Sequence, residues 1–129
     1  MNRILAKVVK IQENGALHKV NFSSQIGNLS LVSLDLNLKI DQEVTLGFKS
    51  SAVAIGRLND DMLSYSNQIK VKIRSIEKGQ ILTKVVASVN QEFITSIITT
   101  DSANRLNLKV EENAVFLIKA TDVFVVSYD

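Results

Sequence analysis

Two short segments carry the residue types that suit an anion, Lys49-Ser50-Ser51 and Lys119-Ala120-Thr121. Lysine supplies a point charge, Ser and Thr supply hydroxyl donors, and a turn supplies free backbone N–H groups. No acceptor-only carboxylate stands among them. Thr99-Thr100-Asp101-Ser102 offers hydroxyls and amides at the entry to a helical turn, a second arrangement that attracts negative charge. Ser64-Tyr65-Ser66-Asn67 is a third polar stretch. Each has a plainer reading: a strand-edge lysine beside a turn, an N-cap at Asp101 or Ser102, a polar linker. Catalytic constellations are missing from the sequence: it has no Gly-rich phosphate loop, no His-based dyad and no metal-ligand spacing. The lone histidine, His18, cannot build a metal cluster and reads as a surface strand residue near a turn. The carboxylate pairs Asp60-Asp61 and Glu111-Glu112 read as solvated turns. The expectation is a protein that is not an enzyme and has no side chain bound directly to a metal.

These segments sit in 129 residues with 15 Lys+Arg against 13 Asp+Glu, a net charge of +2 that argues against nucleic acid by bulk electrostatics. Cysteine is absent, which excludes disulfides and thiolate chemistry. The amino terminus lacks the apolar core of a signal peptide, and no run approaches the ~18–20 apolar residues that a membrane helix needs. A cytoplasmic protein is expected, without membrane contact. With 46% hydrophobic residues but only 5% aromatic, Val, Ile and Leu must fill the core, which favours strands.

The elements that position the polar segments are written twice. Shifted by 65, Asn2 falls on Asn67, Ile4 on Ile69, Lys7 on Lys72, Ile11 on Ile76, Leu17 on Leu82 and Val20 on Val85. Shifted by 70, Leu36-Asn37-Leu38-Lys39 falls on Leu106-Asn107-Leu108-Lys109, Lys49 on Lys119 and Val53 on Val123. One register held over many positions, changed once and held again marks a tandem duplication, with five extra residues in the second copy. The first unit spans 1–60 and the second 64–129, with the boundary near Asn59-Asp60-Asp61. Strands are expected at 3–12, 16–23, 28–33, 43–49 and 52–56, with a hairpin at Asn14-Gly15 and a helical turn over Leu36 to Ile40. The second copy repeats them at 68–77, 80–88, 92–98, 113–119 and 122–127. Its hairpin falls at Lys78-Gly79 and its helical turn at 101–106. Five short strands and a helical turn in roughly sixty residues read as a small barrel of the oligonucleotide/oligosaccharide-binding (OB) type. The fold class is therefore all-β, two tandem OB-like five-stranded barrels. Units this small bury little surface alone, so a homo-oligomer, dimer or trimer, is expected.

In this order, the polar segments resemble the molybdate-binding modules called Mop or TOBE domains, as found in molbindins and in the ligand-sensing half of molybdate-responsive regulators. Such modules open with Ser-Ala-Arg-Asn-Gln and a strand, and continue through a Gly-containing hairpin to Ile-Thr-x-x-Ser. A Leu-Lys-Val connector follows, then Lys-Ala-Ser/Thr and a last strand. The second copy carries Ser64-Tyr65-Ser66-Asn67-Gln68, Ile98-Thr99-Thr100-Asp101-Ser102, Leu108-Lys109-Val110 and Ile118-Lys119-Ala120-Thr121. The first copy is looser, with Asn2, Leu38-Lys39-Ile40 and Lys49-Ser50-Ser51. The resemblance implies binding of molybdate or tungstate, for storage or sensing, at interfaces between modules and subunits. The ligands it implies are Ser64, Ser66, Thr99, Ser102, Lys119, Ala120 (through its backbone) and Thr121, with Lys49 and Ser50 in the first copy. Two departures stand out. Ser66 replaces the family arginine, and the first copy has no Ile-Thr-x-x-Ser beyond something near Ser33. The Lys119 site is thus expected to bind and the Lys49 site to be weak or empty. Two other readings stay open: a degenerate module kept as an assembly or regulatory partner, and a small nucleic-acid-binding barrel, for which Tyr65 and Phe93 are the candidate stacking aromatics.

Overall fold

The computed structural model describes residues 1–57 and 62–128. The expected boundary at Asn59-Asp60-Asp61, with the Asp60-Asp61 pair, lies outside the described residues. The first copy forms β1 (Asn2–Asn14), β2 (Leu17–Ser24), β3 (Leu29–Leu34), β4 (Glu43–Phe48) and β5 (Ala54–Gly56). The second forms β6 (Asn67–Lys78), β7 (Leu82–Val89), β8 (Glu92–Thr99), the helix α1 (Thr100–Leu106), β9 (Asn113–Ile118) and β10 (Phe124–Tyr128). A single 3-10 turn precedes each last strand, Ser50–Ala52 and Ala120–Asp122. The strands follow from alternation. In β1 every second residue from Asn2 to Val8 is buried, and β6 repeats this from Asn67 to Ile73.

Two five-stranded antiparallel sheets result, ordered β10-β4-β1-β2-β3 and β5-β9-β6-β7-β8. This matches the expected all-β pair of OB-like units in strand number. The last strands, however, are exchanged. Residues 52–56 and 122–127 were expected to close their own units, yet β5 pairs with β9 and β10 pairs with β4. Side-chain size explains the choice. Phe124 lies opposite Gly47, where a Cβ would come within 2.6 Å of Val126 Cγ2 and 2.9 Å of Phe124 Cε2. Ala54 lies opposite Leu117. The shift of 70 makes Gly47 equivalent to Leu117 and Ala54 equivalent to Phe124. Unexchanged strands would therefore set Phe124 on Leu117, overfilling one edge, and Ala54 on Gly47, leaving the other hollow.

The exchange fuses both copies around one core. Ile4, Phe22, Leu46 and Phe48 of the first copy belong to the same buried cluster as Ile69, Ile73, Ile94 and Phe116 of the second. Two asparagines lock the halves reciprocally. Asn2 Nδ2 donates to Thr95 O at 2.9 Å while Thr95 N donates to Asn2 Oδ1 at 2.8 Å. Asn67 and Ser30 repeat this at 3.0 and 2.7 Å. Each side chain thereby satisfies the backbone donor and acceptor of one residue on the other copy's edge strand.

Local differences from expectation have local causes. The first hairpin turns at Gly15-Ala16, one residue later than expected, with Asn14 paired to Leu17 and Gly15 at φ +62. Glycine in the first central position is the type II′ arrangement. The second turn, over residues 79–81, requires Gly79 because a Cβ there would meet Leu82 O at 2.7 Å. Leu36 to Ile40 is not helical. The five residues that the first copy lacks are those that wind α1, and Asp35 and Asp41 flank its short connector at φ 52 and 69. The N-cap of α1 is Thr99, not Asp101 or Ser102, because its Oγ1 accepts from Ser102 N at 3.1 Å.

Candidate functional site

Lys119 follows the last residue of β9 and Ser66 precedes the first of β6, and Ile118 and Asn67 are cross-strand partners. The pairing therefore sets Ser66 beside Lys119, with Ser64 two residues upstream. All three are exposed. Lys119 has φ -66 and ψ 143, after which the chain enters its 3-10 turn, with Asp122 N donating to Lys119 O at 3.0 Å. This turn leaves the amides of Ala120 and Thr121 without an acceptor inside it. Among the described residues no carboxylate lies within ion-pair distance of Lys119. The ammonium, two serine hydroxyls, the Thr121 hydroxyl and backbone amides thus form a donor-rich end of the sheet.

The first copy reproduces the frame with fewer donors. Asn2 pairs with Phe48, so Lys49 stands beside Met1 rather than a serine. Ser50 is half-buried in the 3-10 turn, where Ala52 N donates to Lys49 O at 2.9 Å. Because the last strands are exchanged, each turn packs on the opposite copy, Ser50–Ala52 against β8 and Ala120–Asp122 against β3. Ser96 Oγ donates to Val53 O at 2.6 Å and ties the first of these contacts.

Thr99 and Ser102 do not join Lys119 within one chain. Thr99 is the partner of Leu82, and Thr83 is the partner of Lys78, at the end of β6 opposite to Ser66. Lys78 Nζ also donates to Asn104 Oδ1 at 2.9 Å, which holds α1 at that end. There Thr99 Oγ1 donates to Ser102 Oγ at 2.8 Å, and Arg105 Nη2 donates to Ser102 Oγ at 3.1 Å. Arg105 is a member of this cluster that the sequence reading passed over. It falls among the five inserted residues and has no counterpart in the first copy. His18 lies half-buried, with Nδ1 unbonded. Of the two candidate stacking aromatics, Phe93 is 64% exposed and Tyr65 is half-buried.

Residues 63–125 match the TOBE domain. Molybdenum-pterin-binding protein 1 of Clostridium pasteurianum is 36% identical over 66 residues, 50% of this chain and 97% of that protein. Molybdenum transport protein ModE of Herbaspirillum seropedicae is 35% identical over 65 residues, 50% of this chain and 24% of ModE. A crystal structure of the cytoplasmic molybdate-binding protein ModG with molybdate bound aligns with a TM-score of 0.91. It covers 99% of this chain and 96% of that one at 24% identity, a likeness of fold that extends through both copies. No helix among the described residues is long and apolar enough to cross a membrane.

Proposed function

The chain belongs to the TOBE-domain family, in which it matches a molybdenum-pterin-binding protein over nearly that protein's whole length, and from this membership we propose that it binds molybdate or tungstate as an intracellular store or sensor. The observation that carries the reading is the side-by-side placement of Ser66 and Lys119–Ala120–Thr121, with no carboxylate within ion-pair distance of Lys119 among the described residues. Such a set of donors replaces the hydration shell of a tetrahedral dianion with N–H and O–H groups that are already oriented. Discrimination against sulfate, also a tetrahedral dianion, falls to the size of the enclosure. No bond in the ion is made or broken, so the role is binding and not catalysis.

Thr99 and Ser102 lie at the other end of β6, so they reach a Lys119 site only when a second copy of the chain supplies them. We therefore place the oxyanion between subunits of a homo-oligomer, a dimer or trimer, in the cytoplasm. The likeness to ModG, itself described as cytoplasmic, supports that location. The Lys49 site is the weaker of the two, since Met1 rather than a serine stands across from Lys49 and no helix follows β3.

Calorimetric titration with molybdate, tungstate and sulfate tests the reading. Molybdate and tungstate are expected to bind and sulfate to give no heat. Lys119→Ala removes a charge-assisted hydrogen bond and should weaken binding roughly ten- to a hundredfold, whereas Lys49→Ala should change it little. Unchanged affinity in Lys119→Ala overturns the assignment. The replacement of the family arginine by Ser66 favours a second reading, a module kept only for assembly. Absence of heat with excess molybdate would select it.

A further inference from the structure

We propose that the outer face of the second sheet holds a separate site for a phosphorylated planar heterocycle of mononucleotide size. A groove of about 500 Å3 runs over β9, β6 and β7, lined by Arg57, Lys70, Lys72, Ser88, Asn90 and Asn113 among others, with no carboxylate among the described residues of its lining. This volume falls within the usual range for small-molecule clefts. Lys72 is the cross-strand partner of both Asn113 and Ser88, and Ser88 is the partner of Phe93. Directly opposed residues share a face, so Asn113, Lys72, Ser88 and Phe93 form one row across four strands. Lys70 shares that face two residues along β6. Strands stand about 4.8 Å apart, which puts Phe93 roughly 10 Å from Lys72 along the row, a separation suited to a ring at one end and a phosphate at the other. Phe93 is 64% exposed, a large flat apolar surface beside a cationic groove.

The duplication supplies an internal comparison. The first copy has the corresponding groove, about 330 Å3, lined by Leu5, Lys7, Ser23, Gln25 and Glu43 among others. Glu43 and Ser23 flank Lys7 there as Asn113 and Ser88 flank Lys72. The two faces share a frame and differ in chemistry. Leu5 stands for Lys70, Glu43 for Asn113 and Asn28 for Phe93. Only the second copy combines extra positive charge, amide donors and an aromatic surface. Its remaining cations are held in place by carboxylates at the rim. Arg57 Nη1 lies 2.7 Å from Glu112 Oε1, and Lys72 Nζ lies 3.8 Å from Glu111 Oε2. Lys70 has neither a carboxylate in reach nor a hydrogen-bond partner among the described residues.

The test titrates the full chain at low ionic strength with GMP, ribose 5-phosphate and a short single-stranded RNA. GMP is expected to saturate at one per chain and to bind more tightly than ribose 5-phosphate, and Phe93→Ala should abolish that difference. Lys70→Leu combined with Asn113→Glu writes first-copy residues into the second-copy groove. It should weaken GMP about tenfold or more through the lost charge-assisted contacts. Lys119→Ala should leave GMP affinity unchanged, which separates this site from the oxyanion site. No binding of GMP to the natural chain overturns the proposal. So does equal affinity for ribose 5-phosphate, or loss of GMP binding in Lys119→Ala. RNA binding that GMP cannot compete away would identify the face as a nucleic-acid surface, and would overturn the proposal too.

Discussion

Arg105 donates to Ser102 Oγ at 3.1 Å and has no ion-pair partner among the described residues. In the proposed inter-subunit site, where Ser66 stands at the position of the arginine that the resemblance implies, a guanidinium arriving with Thr99 and Ser102 from a second chain would supply that positive charge. Arg105→Ala is therefore expected to weaken molybdate binding roughly tenfold by calorimetry, with Arg105→Lys recovering only part, because lysine lacks the planar fork. Legibility at this scale depended on repetition. Lys49 and Lys119 were singled out by the hydroxyl residues that follow each, and their equivalent places in the two copies drew them together. Arg105 lies in the insertion, where no comparison exists. Asn2 and Asn67 were the first identical pair in the alignment, yet their role as clamps requires knowing that the other copy's edge strand passes beside them.

Among the elements, strand positions were readable because burial alternates with period two. Strand partners were not, since alternation tells which face is buried and says nothing about the neighbour. The exchange of β5 and β10 is written in four residues, Gly47, Ala54, Leu117 and Phe124, whose sizes match only in the exchanged pairing. Gly47→Leu forces Phe124 and Val126 off the edge of β4 and should cost about 1–3 kcal/mol in urea unfolding. Adding Phe124→Ala recreates the Leu117–Ala54 combination and should recover part of that loss, whereas independent sites would simply add their losses. The non-helical connector at Leu36 to Ile40 makes a related point. Its sequence matches the last residue of α1 and the connector that follows, Leu106 to Val110, but without the inserted residues there is no chain to wind.

For the whole molecule, one core and reciprocal clamps make the two copies a single cooperative body, while the donors assigned to the proposed oxyanion site lie at opposite ends of β6. A ligand that bridges chains stabilises the assembled state. At a free concentration a hundredfold above Kd, molybdate should add about 2.7 kcal/mol of stability. Thermal melting should rise with molybdate concentration, and light scattering should show a larger assembly that dissociates at lower protein concentration once the ion is removed. A melting temperature that rises with no change in assembly would confine the site to one chain.

The exchange of β10 into the first sheet also has a bearing on synthesis. Gly47 leaves the ribosome long before Phe124 does, so the first copy emerges with its β4 edge unpaired and must stay so until the final strand arrives. Any chain halted before that point presents an open strand edge, a template for pairing with its neighbours. Completion of the first half is thus a report that the second half has been made.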